Sequence, residues 1–325
     1  MNTFGTIFRI SIFGESHGPW VGVTIDGCPA GIDLQESDLL PDLERRKAGA
    51  SGTTPRKEED VPVFVSGVFN NKTTGAPLTI VFENKNTRSA DYDAIRATPR
   101  PGHADFVLHR KFNGFNDYRG GGHSSGRLTV ALVAAGVIAK KILPAIAINA
   151  SVVEAGGDAD IDAAISRAIE NQDSIGGIVG CTVTGLPVGL GDPFFNSVES
   201  VISHAVFSIP AIKGIEFGSG FAAARMHGSA HNDAIVDELG TTGTNNSGGI
   251  NGGITNGNEL YFRVAVKPTS STPREQQTWN SASKSVASFT VKGRHDLCIA
   301  LRVPVVVEAV TAIALADLLF MAKTI

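Results

Sequence analysis

The sequence predicts an α+β fold in which antiparallel sheets enclose buried helices. Segments that alternate apolar with polar residues and are rich in β-branched side chains predict strands, and apolar residues spaced three and four apart predict helices. The two kinds of segment do not alternate regularly, and several strand pairs are joined by short links. This order favours antiparallel sheets over a doubly wound parallel sheet.

Each predicted element has its own stretch of sequence. The strand pattern occupies residues 6–13, 21–26, 61–68, 78–82, 175–184 and 260–266, and the helix pattern occupies residues 128–143, 161–171, 198–207 and 305–322. The last helix is apolar nearly all round, but Glu308 and Asp317 interrupt it, and each is costly at a bilayer centre. We therefore expect a buried helix, and a single domain over residues 1–325.

Composition restricts the class of protein. Apolar residues make up 42% and charged residues 18%, which suits a packed core and excludes general disorder. The net charge of −4 gives no basic field for nucleic acid or a membrane surface, so an anionic ligand needs locally gathered cations. Three scattered cysteines, with no CxxC pair, argue against a disulfide framework and against a metal site. The scattered cysteines, together with an N-terminus that lacks the pattern of a signal peptide, indicate a cytoplasmic protein.

The first glycine-rich motif, residues 14–18 (GESHG), ends a predicted strand and places Ser16 and His17 on a tight turn. A histidine there is a candidate general acid, because its ordinary pKa lies near neutrality. From these residues alone, a turn histidine bonded to backbone is an equal alternative.

Two further motifs lie close together, residues 100–105 (RPGHAD) and 120–127 (GGGHSSGR), and the second runs into a predicted helix. Backbone N–H groups at a glycine-rich helix entrance, two serine hydroxyls and Arg127 form a suitable phosphate cradle. Arg46 and its neighbours add cations nearby in the sequence, and the guanidinium fork suits phosphate and carboxylate. An N-cap serine with a glycine turn would explain only one of these residues.

Two patterns are false leads. Residues 218–223 read G-x-G-x-x-A, as in a dinucleotide fingerprint, but Gly228 interrupts the helix that the fingerprint needs. His227 and His231 have metal-ligand spacing for a helix, yet Gly228 and Ser229 between them predict a loop. Residues 267–271 (KPTSS) and 294–296 (RHD) instead follow strands, where site residues often lie.

Together these motifs resemble the chorismate synthase family. Eight of them, GESHG, RRKAG, RPGHAD, GGGHSSGR, SIPAIKG, GGINGG, KPTSS and GRHD, occur in the family's order and rough spacing along the whole chain. The resemblance implies a single-domain β-α-β sandwich, a homotetramer, and a deep polar site for reduced FMN (FMNH2) and 5-enolpyruvylshikimate-3-phosphate. The implied reaction is an anti 1,4-elimination of phosphate that gives chorismate without net redox change, the last step of the shikimate pathway.

The resemblance also implies residue roles. His17 matches the histidine that protonates the leaving phosphate, His103 the one that donates a proton to the reduced flavin, and Asp296 the acid that assists proton uptake by flavin N5. Arg46 would hold a phosphate beside Arg127 of the cradle. Flavin contacts would fall on His123, Ser124, Ser125, Pro210, Ala211, Gly252, Lys267, Pro268, Thr269, Ser270, Ser271 and Arg294.

The chain departs from the family pattern in two motifs. Lys47 and Ala48 replace an arginine and a proline of the family pattern. The family has a further arginine shortly afterwards, and this chain has Gly52 near that position, with a one-residue deletion. His123 replaces the usual arginine of the second cradle motif, and Gly126 replaces alanine. These changes reduce the number of cations but leave the cradle.

Other functions remain open from the sequence. A non-catalytic binder of phosphorylated small molecules would keep the cradle, although retention of both His17 and Asp296 argues against it. A nicotinamide dehydrogenase built on residues 218–223 would transfer hydride and release no phosphate. Within the favoured function, the flavin reductant is either NADPH or an external reductase.

Overall fold

The structure, a computed structural model, describes residues 2–54, 58–85, 96–291 and 295–323. Its strands are β1 (Thr3–Phe4), β2 (Arg9–Gly14), β3 (Trp20–Asp26), β4 (Val63–Ser66), β5 (Val68–Phe69), β6 (Lys72–Thr73), β7 (Leu78–Glu83), β8 (Ala147–Ala155), β9 (Gly177–Thr184), β10 (Ile212–Phe217), β11 (Ile250–Asn251), β12 (Ile254–Thr255), β13 (Leu260–Val266), β14 (Gln276–Asn280) and β15 (Ser285–Phe289). Its α-helices are α1 (Leu40–Arg46), α2 (Asp105–Lys111), α3 (Thr129–Ile142), α4 (Ile161–Glu170), α5 (Val198–Val206), α6 (Gly228–His231) and α7 (Pro304–Ala322). Short 3-10 helices lie at Glu36–Asp38, Arg119–Ser124, Gly126–Leu128, Phe194–Asn196, Gly220–Arg225 and Ile299–Arg302.

Two antiparallel sheets form the outer layers. The first has the strand order β1-β2-β3-β7-β4, and the second has the order β10-β13-β9-β8. Alternate residues of each sheet point inward: Val23 pairs with Ile80 in the first sheet and Val264 with Val179 in the second, and all four are fully buried. This alternation is the expected result of the two-residue period of a half-buried strand. The α+β prediction is confirmed.

Helices α3 and α7 pack against each other between the sheets, with α3 on β3 and α7 on β8 and β9. The close approach depends on Gly136 of α3, where an added Cβ would lie 2.3 Å from the Cβ of Ala309 in α7. The helices therefore form the middle layer of a β-α-β sandwich.

Helix α7 is long and apolar enough to cross a membrane by length and composition, but 78% of its most apolar window is buried inside the protein. Its two acids have specific partners. Glu308 accepts from both terminal guanidinium nitrogens of Arg45 at 2.7 and 2.6 Å and from the backbone N–H of Ala150 at 3.0 Å. Asp317 accepts from the backbone N–H groups of residues 6–8 at 2.7–2.9 Å. The buried-helix prediction is confirmed.

Several boundaries differ from the prediction for a physical reason. The strand expected over residues 6–13 begins at Arg9, because Asp317 takes the backbone N–H groups of the three preceding residues. The strand expected over 61–68 begins at Val63 and breaks at Gly67, whose φ is +85°. Residues 228–231, expected to form a loop, form the single helical turn α6.

Candidate functional site

Two cavities lie side by side within the fold. The first has a volume of about 510 Å³ and the second about 250 Å³. Ser125, Thr129, Ile209 and Pro210 line both. The two spaces therefore share a wall, and two ligands bound in them would be neighbours.

The first cavity has an apolar lining and polar groups beside it. Its apolar residues come mainly from β2, from α3 with the short helix before it, and from α7, and they include Ile10, Ile12, Leu128, Leu132, Val310 and Ile313. Its polar residues include His123, Ser124, Ser125, Lys213 and Lys267. The combination suits a flat ring system that also carries polar or anionic groups.

The motif at residues 120–127 is a helix entrance, as predicted. Gly120, Gly121 and Gly122 all have positive φ, which permits a turn too tight for ordinary side chains. Nδ1 of His123 donates to the Gly14 carbonyl at 2.7 Å, and the Ser125 hydroxyl accepts from the backbone N–H of Arg127 at 3.3 Å. The short helix Gly126–Leu128 then leads directly into α3.

The glycine turn brings the two predicted catalytic histidines together. An added Cβ on Gly120 would lie 2.5 Å from two ring atoms of His17, and one on Gly121 would lie 3.4 Å from Cε1 of His103. Gly120 lines the second cavity, and the His17 side chain is buried directly behind it. The two rings therefore lie against consecutive residues of one turn.

The motif at residues 100–105 holds His103 in place. Asp105 accepts from Nε and Nη2 of Arg100, both at 2.8 Å, and its Oδ1 lies 2.6 Å from Nδ1 of His103. Burial alone raises the pKa of Asp105, but the bonds from Arg100 and His103 outweigh burial and hold that pKa well below its usual range. A charged carboxylate therefore orients the imidazole.

Residues 267–271 pack onto the same motif. Nζ of Lys267 donates to the Ser270 hydroxyl at 2.6 Å and to the Gly102 carbonyl at 3.1 Å, while Nη1 of Arg100 donates to Ser271 at 3.1 Å. Burial, together with the charge of Lys213, lowers the pKa of Lys267. Thr269 reaches the second cavity.

The second cavity is lined by four arginines, namely Arg46, Arg100, Arg127 and Arg302. Arg46 and Arg127 share one carboxylate, that of Asp60: Nη2 of Arg46 lies 2.5 Å from Oδ2, and Nη1 of Arg127 donates to Oδ1. Nε of Arg127 also donates to Asn84 at 2.8 Å. Both predicted phosphate-binding arginines are thus brought to one space.

Asp296 lines the same cavity. Its Oδ1 accepts from the backbone N–H of Thr54 at 2.9 Å, and its Oδ2 accepts from Nη1 of Arg302 at 3.2 Å. Nε of Arg302 donates to the Arg46 carbonyl at 3.0 Å. One arginine therefore connects the predicted acid with the backbone of the predicted phosphate-binding residue.

Not all predicted residues line these cavities: His17, His103, Ser270 and Ser271 belong to neither lining, although the two histidines lie against the glycine turn. Exposed Gly252 lies between β11 and β12 and lines neither space, and Pro268 is exposed beside Gly176. Arg294 lies outside the described residues. Ala211 lines the first cavity together with Pro210.

The family departures can be located as well. Lys47, at the position of the third arginine, pairs with Glu44 at 2.7 Å and does not line the second cavity. The carbonyl of Gly52 accepts from the backbone N–H groups of Leu297 and Cys298, so it supports the loop that carries Asp296.

The structure bears differently on the two false leads. After β10, residues 220–225 form a 3-10 helix, so the α-helix of a dinucleotide fingerprint does not follow the strand. His227 precedes the helical turn α6 and His231 ends it, in place of the expected loop; no group of three or more metal-ligand side chains occurs within the described ranges. Cys28, Cys181 and Cys298 are free and buried.

Sequence reasoning missed Asp60 and Arg302. Asp60 closes the short acidic run 58–60, which has the pattern of a solvated surface. Arg302 belongs to no motif. Their roles depend partly on distant contacts, Asp60 with Arg127 and Arg302 with the Arg46 carbonyl, and the sequence pattern carries no signal for such pairing.

Comparison with known proteins gives one consistent family. A family model described as chorismate synthase matches residues 8–320. A chorismate synthase from Chitinophaga pinensis is 68% identical over 322 residues, covering 99% of this chain and 97% of the relative. One from Dehalococcoides mccartyi is 45% identical, covering 98% and 96%. A crystal structure of chorismate synthase has a TM-score of 0.76 at 28% identity, covering 98% of this chain and 93% of that one.

Proposed function

Because this chain belongs to the chorismate synthase family, a family of carbon–oxygen lyases, we propose that it converts 5-enolpyruvylshikimate-3-phosphate to chorismate. The reaction is an anti 1,4-elimination of phosphate and a proton without net redox change. The proposed cofactor is reduced FMN. The observation that carries the proposal is the pair of adjoining cavities, one largely apolar and one rich in arginine.

The residues of the first cavity fit a flavin. Aliphatic side chains from β2, α3 and α7 offer a surface for the ring, and His123, Ser124, Ser125 and Lys267 offer polar contacts beside it. When bound, the reduced flavin supplies an electron-rich ring next to the substrate. The volume of about 510 Å³ lies within the usual range for cofactor sites.

The residues of the second cavity fit the substrate, which carries two carboxylates and a phosphate. Arg46 and Arg127 offer guanidinium donors for the phosphate, and their charges offset repulsion among the anions. Because both arginines line the same cavity, we propose that they bind the same phosphate group.

The proton transfers fall to Asp296, which lines the second cavity, and to His17 and His103, whose rings lie against the glycine turn beside it. His17 would give a proton to the leaving phosphate from behind Gly120, where burial keeps the ring away from bulk water. Asp296 would assist removal of the proton from the substrate, and Arg302 holds its carboxylate in position. His103, oriented by Asp105, would maintain the protonation of the neighbouring cofactor.

The deciding experiment is an anaerobic assay of phosphate release and chorismate formation with dithionite-reduced FMN. We expect turnover that requires the flavin without consuming it, and none with dithionite alone. Activity in rigorously flavin-free protein contradicts the cofactor proposal, and binding without phosphate release favours the non-catalytic binder. Repeating the assay with NADPH in place of dithionite determines whether the protein reduces its own flavin.

We also propose a cytoplasmic homotetramer. Several large apolar side chains are exposed on this chain, and Phe115, Phe194 and Phe195 are 86–93% exposed. Exposed apolar side chains of this size are typical of surfaces that contact another subunit. Light scattering on purified protein should give four times the chain mass of 33.9 kDa.

A further inference from the structure

Asp60 is a buried carboxylate between two arginines. Its side chain has no exposed surface, and the side chains of Arg46 and Arg127 are 3% and 5% exposed. One carboxylate oxygen accepts from each guanidinium. The Asp60 carboxylate therefore fixes the distance between the two guanidinium groups and cancels one of their two positive charges.

The arginine pair still has hydrogen-bonding capacity toward an anion. Nε of Arg46 is buried and has no hydrogen-bond partner among the described residues, and Nη1 has only a long bond of 3.4 Å to Thr129. Both arginines line the second cavity. A partly neutralised pair with unused donors forms an anion site of moderate strength.

The carboxylate is an unfavourable choice for stability alone. Burial by itself raises the pKa of the Asp60 carboxyl, and the charges of the two arginines, with their hydrogen bonds, keep that pKa below its ordinary value. The φ of +50° at Asp60 does not explain the choice of a carboxylate, because Asn adopts this left-handed region as readily as Asp does. Buried ion pairs contribute little net stability compared with apolar residues of the same volume. A carboxylate at this position is therefore better explained by its effect on the net charge of the second cavity than by stability.

We propose that Asp60 is a positioning residue that limits the positive charge of the phosphate site, so that phosphate binds during the reaction and leaves afterwards. This inference rests on the proposed function, in which the substrate phosphate lies beside Arg46 and Arg127. Without the carboxylate, one more positive charge would remain at the site, and the released phosphate would be retained.

The test is the variant Asp60→Asn, which removes the charge with little change of shape. We expect inorganic phosphate to bind about tenfold more tightly than to the wild-type protein, because an uncancelled charge a few ångströms away attracts the anion. Turnover should fall about tenfold, and inhibition by phosphate should strengthen in parallel. Isothermal titration of flavin-free protein with inorganic phosphate measures the affinity.

Two further variants separate charge from shape and from folding. Asp60→Glu keeps the charge, so phosphate affinity should stay near the wild-type value, while turnover falls because the arginines move. Asp317→Asn is the matched control, another buried carboxylate that lines neither cavity. It should lower the melting temperature and leave phosphate affinity unchanged.

The inference is overturned if Asp60→Asn binds phosphate with equal or weaker affinity, or if that variant fails to fold even in saturating phosphate. The carboxylate would then serve the fold alone. Failure of the proposed function is a separate result, since it would appear as wild-type protein that makes no chorismate, whereas the phosphate titration needs neither flavin nor turnover.

Discussion

Gly120 controls how closely His17 approaches the second cavity. A methyl group there would collide with the imidazole and would also require an unfavourable φ of +58°. We expect Gly120→Ala to lower turnover about 10²-fold or more, comparable with His17→Ala, because positioned proton transfer is commonly worth about 10²-fold to 10⁴-fold. Initial rates in the anaerobic assay give the comparison.

Gly126, in the same motif, provides the matched control. No atom lies within 4 Å of an added Cβ at Gly126, and its φ is not positive. Gly126→Ala should therefore retain turnover near the wild-type value. A fully active Gly120→Ala protein would show that the position of His17 is unimportant.

Replacement of Asp296 by Asn is expected to lower the rate without weakening ligand binding. Asn is nearly isosteric and can still accept the bond from Arg302, so Asp296→Asn should keep ligand affinity unchanged or tighter in a site crowded with anions. Turnover should fall strongly, because the carboxylate proposed to assist proton removal is lost. Substrate titration and single-turnover chorismate formation measure the two effects. A persistent rate with weaker affinity would make Asp296 a scaffold residue.

The sequence predicts site residues only where they lie in recognisable motifs, several of them rich in glycine. His17 and His103 are recognisable because each adjoins a turn that only glycine permits. Asp60 is not, since it meets Arg127 at a separation of 67 residues and no local pattern encodes that pairing. Motif reasoning therefore found the candidate reacting groups and missed the groups that hold their neighbours in place.

Among secondary-structure elements, the strength of the apolar pattern decides most of what the sequence predicts, although strands β8 and β10 of the second sheet were missed despite their buried residues. The segment of β13, with its strict alternation of buried and half-buried residues, was predicted with its exact bounds. Helix α2 contains no buried residue, and the hairpin of β14 and β15 is half-buried at most, so neither has a pronounced apolar pattern. Elements that pack against the core through one face are the ones that periodicity reveals.

The loop between α6 and β11 is organised by one carboxylate. Asp233 accepts from the Thr244 hydroxyl at 2.6 Å and from the backbone N–H groups of Asn246 and Ser247. Burial by itself raises the pKa of Asp233, but these bonds together outweigh burial and lower the pKa to about 2. Its ordinary value in an unfolded chain is about 3.9.

We predict a pH-dependent contribution from Asp233. Because the folded pKa is the lower one, the stabilisation is complete above about pH 4 and is lost as the pH falls toward 2. After allowance for solvent screening, Asp233→Asn should cost about 1 kcal/mol at pH 7. Denaturant unfolding of both proteins at several pH values measures the difference. The exposed Asp33→Asn should change little, and a difference for Asp233→Asn that is independent of pH would contradict the role of the charge.

At the scale of the whole molecule, the sandwich explains why the site forms where it does. The first cavity draws its lining from β2 of the first sheet, from β10 of the second sheet and from the helices α3, α5 and α7. The second lies beside the entrance to α3 and the start of α7. Hydrophobic periodicity predicted these helices and part of each sheet separately. Their stacking order came only from the family resemblance, because periodicity does not encode which faces meet.

The shared helical layer predicts that both sheets unfold as one unit, as expected for a single domain. Val23 in β3 and Val264 in β13 are both fully buried, and truncation of either to Ala should remove about 2 kcal/mol of stability through lost burial and a residual cavity. In one cooperative unit, Val23→Ala should lower the hydrogen-exchange protection of β9 and β13 amides as much as that of β3 and β7. Val264→Ala should produce the reciprocal effect on the first sheet. Exchange followed by mass spectrometry resolves the peptides of each sheet, and a loss confined to the sheet that carries the substitution would divide the chain into two independently folding parts.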